Sequence, residues 1–211
     1  MPEDSQWVAM TRQNPDHSTW YVERFRSMAA EGKDLDGEAR MVDAMVGRGA
    51  RILDAGCGPG RVGGALHAAG HTVVGVDVDP VLIAAAEEDH PGPTWLVGDL
   101  AELDLGARGI VGLFDVVVCA GNVMGFLAPS TRGAVVERMA AHLAADGRAV
   151  IGFGLDRGYP LEEFLVHVAA AGLQLDLRLS TWDLRPFEDE NDFIVAVLSL
   201  AGRGTPPDVA G

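Results

Sequence analysis

The sequence predicts an α/β protein built in three layers, with an open, mostly parallel sheet between two layers of helices. Three observations carry this expectation. Ile52-Leu53-Asp54-Ala55 is a short apolar run that enters a glycine-dense turn, Gly56-Cys57-Gly58-Pro59-Gly60, and then a helical pattern. Val73-Val74-Gly75-Val76 is a second apolar run, and it ends on a carboxylate, Asp77. Downstream, apolar runs and helical patterns keep alternating, as strands joined by crossover helices do.

Taken in order, the elements are as follows. Residues 1 to 13 and the tail Gly202 to Gly211, with Pro206-Pro207, read as flexible ends. Helical patterns over about 17 to 30 and 37 to 48 precede the first strand. Tyr21, Phe25 and Met28 give the first of these an apolar face, and Trp20 and Arg24 share an adjacent one. Val62, Ala65, Leu66 and Ala69 repeat at i, i+3, i+4, i+7 and predict the first crossover helix. Residues 80 to 89 predict the second, opened by Pro80, a good first-turn residue. A third apolar run closes on Val97-Gly98-Asp99-Leu100, and Leu113-Phe114-Asp115-Val116-Val117-Val118-Cys119 reads as the fourth strand. Val136, Met139 and Leu143 stripe the next helix, Gly147 ends it, and Arg148 to Phe153 form the fifth strand. Leu161, Phe164, Leu165 and Val168 mark another helix, stopped by Gly172. Leu173, Leu175, Leu177 and Leu179 then alternate with polar residues, as a half-exposed strand should, and residues 191 to 199 supply the last strand. Continuous apolar strands first and an alternating one late match a parallel sheet finished by a hairpin. At 211 residues and 48% hydrophobic, the chain is expected to form one domain: a tail and helical lid over 1–48, a core over 49–201 and a tail over 202–211.

Glycines are needed where a backbone turns with positive φ or where a ligand touches main-chain amides. An acidic residue about 20 positions after such a turn is placed to accept hydrogen bonds from both hydroxyls of an adenosine ribose, the position Asp77 holds. Dinucleotide binders usually read G-x-G-x-x-G. Here Gly56, Gly58 and Gly60 give G-x-G-x-G, with Asp54 two residues ahead of the first glycine. This resembles motif I, D-x-G-x-G-x-G, of the class I S-adenosylmethionine-dependent methyltransferases of the small-molecule type. The resemblance extends over roughly residues 15 to 200. It implies a Rossmann-like fold with strand order 3-2-1-4-5-7-6, strand 7 antiparallel, and S-adenosyl-L-methionine as cofactor. It further implies that the amides of Gly56, Cys57, Gly58 and Gly60 lie along the methionine moiety while Asp54 faces its ammonium. Asp77 would hold the ribose, with Val78 beside it among the cofactor-binding residues, Asp99 would accept from the adenine amine, and the Leu100 backbone would address the ring. Ala120 and Gly121, at the end of the fourth strand, would border the transferred methyl. An N-terminal helical lid is also implied: Trp20 or Tyr21 could close over the sulfonium and Arg24 could meet the methionine carboxylate, or these residues could be core packing and a solvated arginine.

Composition narrows the function. A formal net charge of −15 is unsuited to a phosphate backbone, so no nucleic-acid partner is expected. Apolar runs stop well short of the ~20 residues that span a membrane, and Met1-Pro2-Glu3-Asp4 starts no secretory signal. Two cysteines, Cys57 and Cys119, at strand ends suggest reduced thiols and a cytoplasmic protein. Fifteen arginines accompany a single lysine, Lys33, which removes the Tyr-x-x-x-Lys pair of a short-chain dehydrogenase. After the fourth strand stands Cys119-Ala120-Gly121-Asn122, without the N/D-P-P-Y/F of amino-group nucleic-acid methyltransferases. Asn122 lacks the acidic partner of a catechol-type metal cluster, and no cysteine–histidine group has zinc spacing. The expectation is a metal-independent enzyme that aligns a small-molecule acceptor with the S–CH₃ bond; positioning of this kind can supply roughly 7–11 kcal/mol. Asn122 to Leu127 and the loop Phe153 to Pro160 would build the acceptor pocket, with Asn122, Arg157 and Tyr159 as its polar groups. No general base is identified among the six histidines, of which only His17 precedes the lid. Two alternatives remain open: a cofactor-binding module without methyl transfer, and an NAD(P)-dependent oxidoreductase. Oligomeric state is not legible.

Overall fold

A computed structural model describes residues 3–202. Its sheet is made of β1 (Arg51–Ala55), β2 (Thr72–Asp77), β3 (Thr94–Val97), β4 (Phe114–Cys119), β5 (Leu143–Gly154), β6 (Leu173–Leu179) and β7 (Phe193–Leu200). The spatial order is β3-β2-β1-β4-β5-β7-β6. Strands β1 to β5 pair in parallel, and β7 runs antiparallel to both β5 and β6, as expected. Helices α1 (Gln6–Gln13), α2 (His17–Ala30) and α3 (Gly37–Ala44) precede the sheet. The connections carry α4 (Arg61–Ala68), α5 (Pro80–Asp89), α6 (Val123–Phe126), α7 (Arg132–Ala141) and α8 (Leu161–Ala170).

Successive residues of the central strands alternate between two cores, which gives the three layers. Leu53, Ala55, Val117 and Ile151 pack with Val136, Met139 and Phe164 of α7 and α8. Ile52, Val116, Val118 and Val150 pack on the other face with Met41 and Val42 of α3 and Val62 and Leu66 of α4. Strands covered on both faces read as unbroken apolar runs, which is why these were legible. Strand order reverses between β1 and β4, and the carboxyl ends at such a switch point bound the crevice where open α/β sheets take ligands.

Four sequence expectations are corrected. Residues 1 to 13 are not simply a flexible end: Gln6–Gln13 form α1, and Ser5 caps it by accepting from the Val8 N–H at 3.2 Å. The pattern over 37 to 48 yields a helix only to Ala44, and its buried face belongs to the sheet core rather than to a lid. Helix α7 ends at Ala141, and Leu143 already pairs with Phe114 as the first residue of β5. Gly147 lies inside that strand, at an irregularity where the register passes from Phe114↔Leu143 to Val116↔Arg148; a Cβ there would sit 2.7 Å from the Phe114 carbonyl. In β6, the register shifts between Leu175 and Leu177, so the leucines do not share one face. Leu173 and Leu175 serve the α7/α8 core, Leu179 serves the opposite one, and Leu177 is left 47% exposed. The expected tail lies, beyond Gly202, outside the described residues.

Candidate functional site

A cleft opens over the carboxyl ends of β1, β2 and β4. It encloses about 1010 Å³, the space at its mouth included. The glycine turn forms its floor. Gly58 has φ +54, and a Cβ there would meet only Tyr21 Cε1, at 4.0 Å, so its open side faces the cleft. Gly60 starts α4 at φ +83 and does not line the cleft; a Cβ there would meet Ala86 at 2.8 Å and the Trp95 ring at 3.0 Å. Its role is close helix-to-sheet approach.

Two acidic residues hold this floor. Asp77 accepts from the Gly58 N–H through Oδ2 and from the Asp79 N–H through Oδ1, both at 2.9 Å. Asp54 accepts from the Gly63 N–H of α4 at 2.9 Å. Burial pushes both carboxyls up, Asp54 to about 7 and Asp77 to about 6, against the pull of those N–H donors. On the β3 side, Asp99 accepts from the Ala101 N–H at 2.9 Å and lines the cleft with Gly98, Leu100 and Val78.

The walls and roof are aromatic. Trp7 of α1 and Tyr21 and Phe25 of α2 face Val123, Phe126 and Leu127, which follow β4. Trp7 meets Tyr21 edge-on at 5.2 Å and Phe126 edge-on at 5.8 Å, so it spans the cleft from one wall to the other. Arg61 is the one basic side chain among the described lining residues. Its guanidinium is held by both oxygens of Glu38, at 2.6 and 2.8 Å, and by the Leu35 carbonyl. Burial raises the Glu38 carboxyl, but the hydrogen bond and charge of Arg61 outweigh it and the net shift is downward.

The sequence-derived site residues separate into two groups. Tyr21, Asp54, Gly56, Cys57, Gly58, Asp77, Val78, Asp99, Leu100, Ala120 and Gly121 converge on this cleft. Trp20, Arg24, Gly60, Asn122, Arg157 and Tyr159 do not. Trp20 is 55% exposed and stacks on His17, while Arg24 lies over the Trp20 and Phe25 rings. One residue of helical rotation sends Tyr21 inward and Trp20 outward. Asn122 adopts φ 63, and its Oδ1 accepts from the Gly154 N–H at 2.7 Å, tying the end of β4 to the end of β5. Arg157 packs its stem on Gly125 and leaves its head with Asp156. Tyr159 is fully buried, hydrogen-bonded to His167 Nδ1 at 2.7 Å beneath the Arg132 guanidinium, so it is core and not an acceptor-facing hydroxyl. Trp7 and Arg61 were missed; Arg61 could have been found as the first residue after the glycine turn, whereas nothing local marks Trp7.

Comparison with known proteins bears on the family and the fold. Residues 52–147 match a family described as a methyltransferase domain. The solved structure of a TehB-like SAM-dependent methyltransferase from Corynebacterium glutamicum superposes with a TM-score of 0.84 at 48% identity, covering 89% of this chain and 100% of that one. A dTDP-3-amino-3,6-dideoxy-alpha-D-glucopyranose N,N-dimethyltransferase from Streptomyces fradiae is 32% identical over 126 residues, 57% of this chain and 48% of that protein. A magnesium-protoporphyrin O-methyltransferase from Rhodobacter capsulatus is 32% identical over 124 residues, 55% of this chain and 52% of that protein. The chain thus spans about half the length of the curated relatives it matches.

Proposed function

The chain belongs to the class I S-adenosylmethionine-dependent methyltransferases, and from that premise we propose that it transfers a methyl group to a small-molecule acceptor by in-line displacement, without a metal ion. The observation that carries this reading is the convergence of Asp54, Gly58, Asp77 and Asp99 on one cleft at the β1/β4 switch point, under an aromatic roof. The residues fit the cofactor: the loop leaves room at Gly58, and the acidic groups that line the cleft suit the hydroxyls of a ribose and the ammonium of an amino acid. When bound, S-adenosylmethionine supplies a methyl group made electrophilic by a cationic sulfur.

Each wall has a distinct task in this reading. Asp77 accepts from the ribose hydroxyls while keeping the glycine loop closed, Asp54 neutralises the amino group, and Asp99 accepts from the adenine amine. Arg61 takes the carboxylate role that sequence suggested for Arg24, because it is the cation that reaches the cleft. Trp7, Tyr21 and Phe126 exclude water and confine the acceptor between roof and floor. A cytoplasmic location is supported by two buried thiols, Cys57 and Cys119, neither in a disulfide. Among the described residues no helix is long and apolar enough to cross a membrane.

A thermal-shift series with S-adenosylmethionine, S-adenosylhomocysteine, NAD and NADP tests the cofactor. A ligand at about 100 times its dissociation constant stabilises by about 2.7 kcal/mol, so only the first two should raise Tm. Conversion of S-adenosylmethionine to S-adenosylhomocysteine, screened across small amine, hydroxyl and thiol acceptors, then tests transfer. A shift with NAD or NADP alone would overturn the reading.

A further inference from the structure

Among the described residues Asp79 is one of few that are charged and buried, and the cofactor reading gives it no task. It is 6% exposed, and it stands two residues beyond Asp77 at the cap of α5. Its Oδ1 accepts from the Val81 N–H at 2.8 Å, as a helix cap should. Its Oδ2 does something else: it accepts from Trp7 Nε1 at 2.8 Å and from Ser18 Oγ. One carboxylate oxygen therefore gathers a donor from α1 and a donor from α2, across 72 and 61 residues of sequence.

On the exposed side Arg26 of α2 also ties to α5, donating to Glu88 and to both oxygens of Asp89 at 2.9 Å, but the buried anchors of the N-terminal helices are few. Helix α1 buries no residue completely, and the buried residues of α2 are Ser18 and Val22. Val22 packs with Leu82 and Ala85 on α5, the helix that Asp79 caps. Trp7 is also the ring that reaches Phe126 on the far wall of the cleft. The Asp79 N–H, in turn, is held by Asp77 Oδ1 at 2.9 Å, and Asp77 Oδ2 holds the Gly58 N–H. A continuous hydrogen-bonded path therefore runs from the glycine loop through Asp77 and Asp79 to Trp7 and Ser18.

We propose that Asp79 is a positioning residue that latches the N-terminal helices over the cleft, joining lid closure to the seating of the cofactor on Asp77. The inference rests on the cofactor reading above. A ligand that fixes the Asp77 carboxylate also fixes the 77–79 turn, and with it the oxygen that receives both lid donors. Coupling between two equilibria is reciprocal: whatever factor the ligand adds to lid closure, opening the latch removes from ligand affinity. Hydrogen bonds to a charged acceptor are the stronger kind, so the factor should be on the order of tenfold to a hundredfold.

The test uses the full chain, S-adenosylhomocysteine as probe, and two variants. Trp7→Phe removes one N–H and keeps an aromatic ring; Asp79→Asn keeps a capping oxygen but cannot present acceptors to both Val81 and the lid. Hydrogen exchange over residues 6–22 is measured with and without the probe, beside its calorimetric affinity. In the parent, the probe should raise protection of residues 6–22. In both variants that rise should vanish and affinity should fall roughly tenfold to a hundredfold. A merely structural contact would lower protection by the same factor with and without the probe, and that result would overturn the latch. So would variants that keep parental affinity and the ligand-dependent rise. A parent that binds no S-adenosylhomocysteine would instead overturn the cofactor reading, and the coupling with it. Should Asp79→Asn fail to fold, Trp7→Phe decides alone.

Discussion

Asp77, the last residue of β2, secures two backbone N–H groups, of Gly58 and Asp79. Asp77→Ala should therefore weaken S-adenosylhomocysteine binding by roughly a hundredfold, and also cost about 1–3 kcal/mol of stability for each N–H left without a partner. Calorimetry and urea denaturation measure the two effects separately, and unchanged affinity would refute the ribose assignment. Asp54 allows a second test, in pH. Its folded carboxyl lies at about 7 against an ordinary 3.8, so the folded chain holds a proton that the unfolded chain releases. Stability of the ligand-free protein should fall as pH rises from about 4 to about 7, with Asp77 adding the same sign up to about 6. Cofactor affinity should move the opposite way, since an ammonium needs the ionised carboxylate. It should climb about tenfold per pH unit below the folded value for a single proton, and level off above it. Asp54→Asn should remove the change between about 6 and about 7 from both profiles and leave only the part that Asp77 contributes below it; an affinity independent of pH between 5.5 and 8 in the parent would separate Asp54 from the ammonium. Trp7 escapes the sequence because its partner, Asp79, is 72 residues away, whereas Arg61 stands directly after the glycine turn and is legible there.

Elements were legible wherever they are covered on both faces, and less so at the margins. The Trp95 indole of β3 shows how the glycine turn and the sheet fit together. A Cβ at Gly75, Gly63 or Gly60 would come within 2.3, 2.8 or 3.0 Å of that ring, so three glycines from β2, α4 and its cap make room for one side chain. Its Nε1 donates to the His90 carbonyl at 3.0 Å, which fixes the ring beneath the loop. Trp95→Ala should destabilise by about 3–5 kcal/mol and loosen the glycine turn above it. Urea denaturation checks the first effect; a loss under about 1 kcal/mol would mean that the space collapses around the smaller residue. Sequence periodicity anticipated every strand but not two irregularities. The one near Gly147 lengthens β5 at its start, and the one in β6 transfers Leu179 to the opposite core. Periodicity reports which residues share a face when the register is regular; it is silent about where the register slips. Tyr159 failed for a related reason, because position in a loop after a strand says nothing about whether a ring turns in toward α8.

At the scale of the whole molecule, the described residues divide by what each part buries. The two large cores are built from the sheet, α3, α4, α6, α7, α8 and the connections between them, and contain nothing from α1 or α2. The N-terminal helices meet the rest through a small cluster, Val22 with Leu82 and Ala85, flanked by Trp7 and Tyr21, through the Asp79 contacts, through the exposed Arg26 pairs with Glu88 and Asp89, and through the Trp7–Phe126 and Arg61–Phe25 ring contacts. A chain beginning at Gly37 would keep α3, whose Ala39, Met41 and Val42 pack against the sheet, and would keep the Glu38–Arg61 pair. Such a chain should unfold cooperatively, because the sheet with both its covering layers remains. It should nevertheless lose the roof: Trp7, Tyr21 and Phe25 would go, and the cleft floor around Gly58 and Asp77 would open to water. Interactions of a charged ligand weaken as water enters a site, and closure commonly completes the catalytic arrangement. The expected outcome is a folded protein whose S-adenosylhomocysteine affinity is at least tenfold poorer and whose methyl transfer is lost. Circular dichroism with thermal melting establishes the fold, and calorimetry with a turnover assay reads the site. If the shortened chain binds and turns over like the full one, the roof is dispensable and the acceptor is held elsewhere. If it fails to melt cooperatively, α1 and α2 are part of the folding unit itself, and their contacts carry more stability than their burial implies.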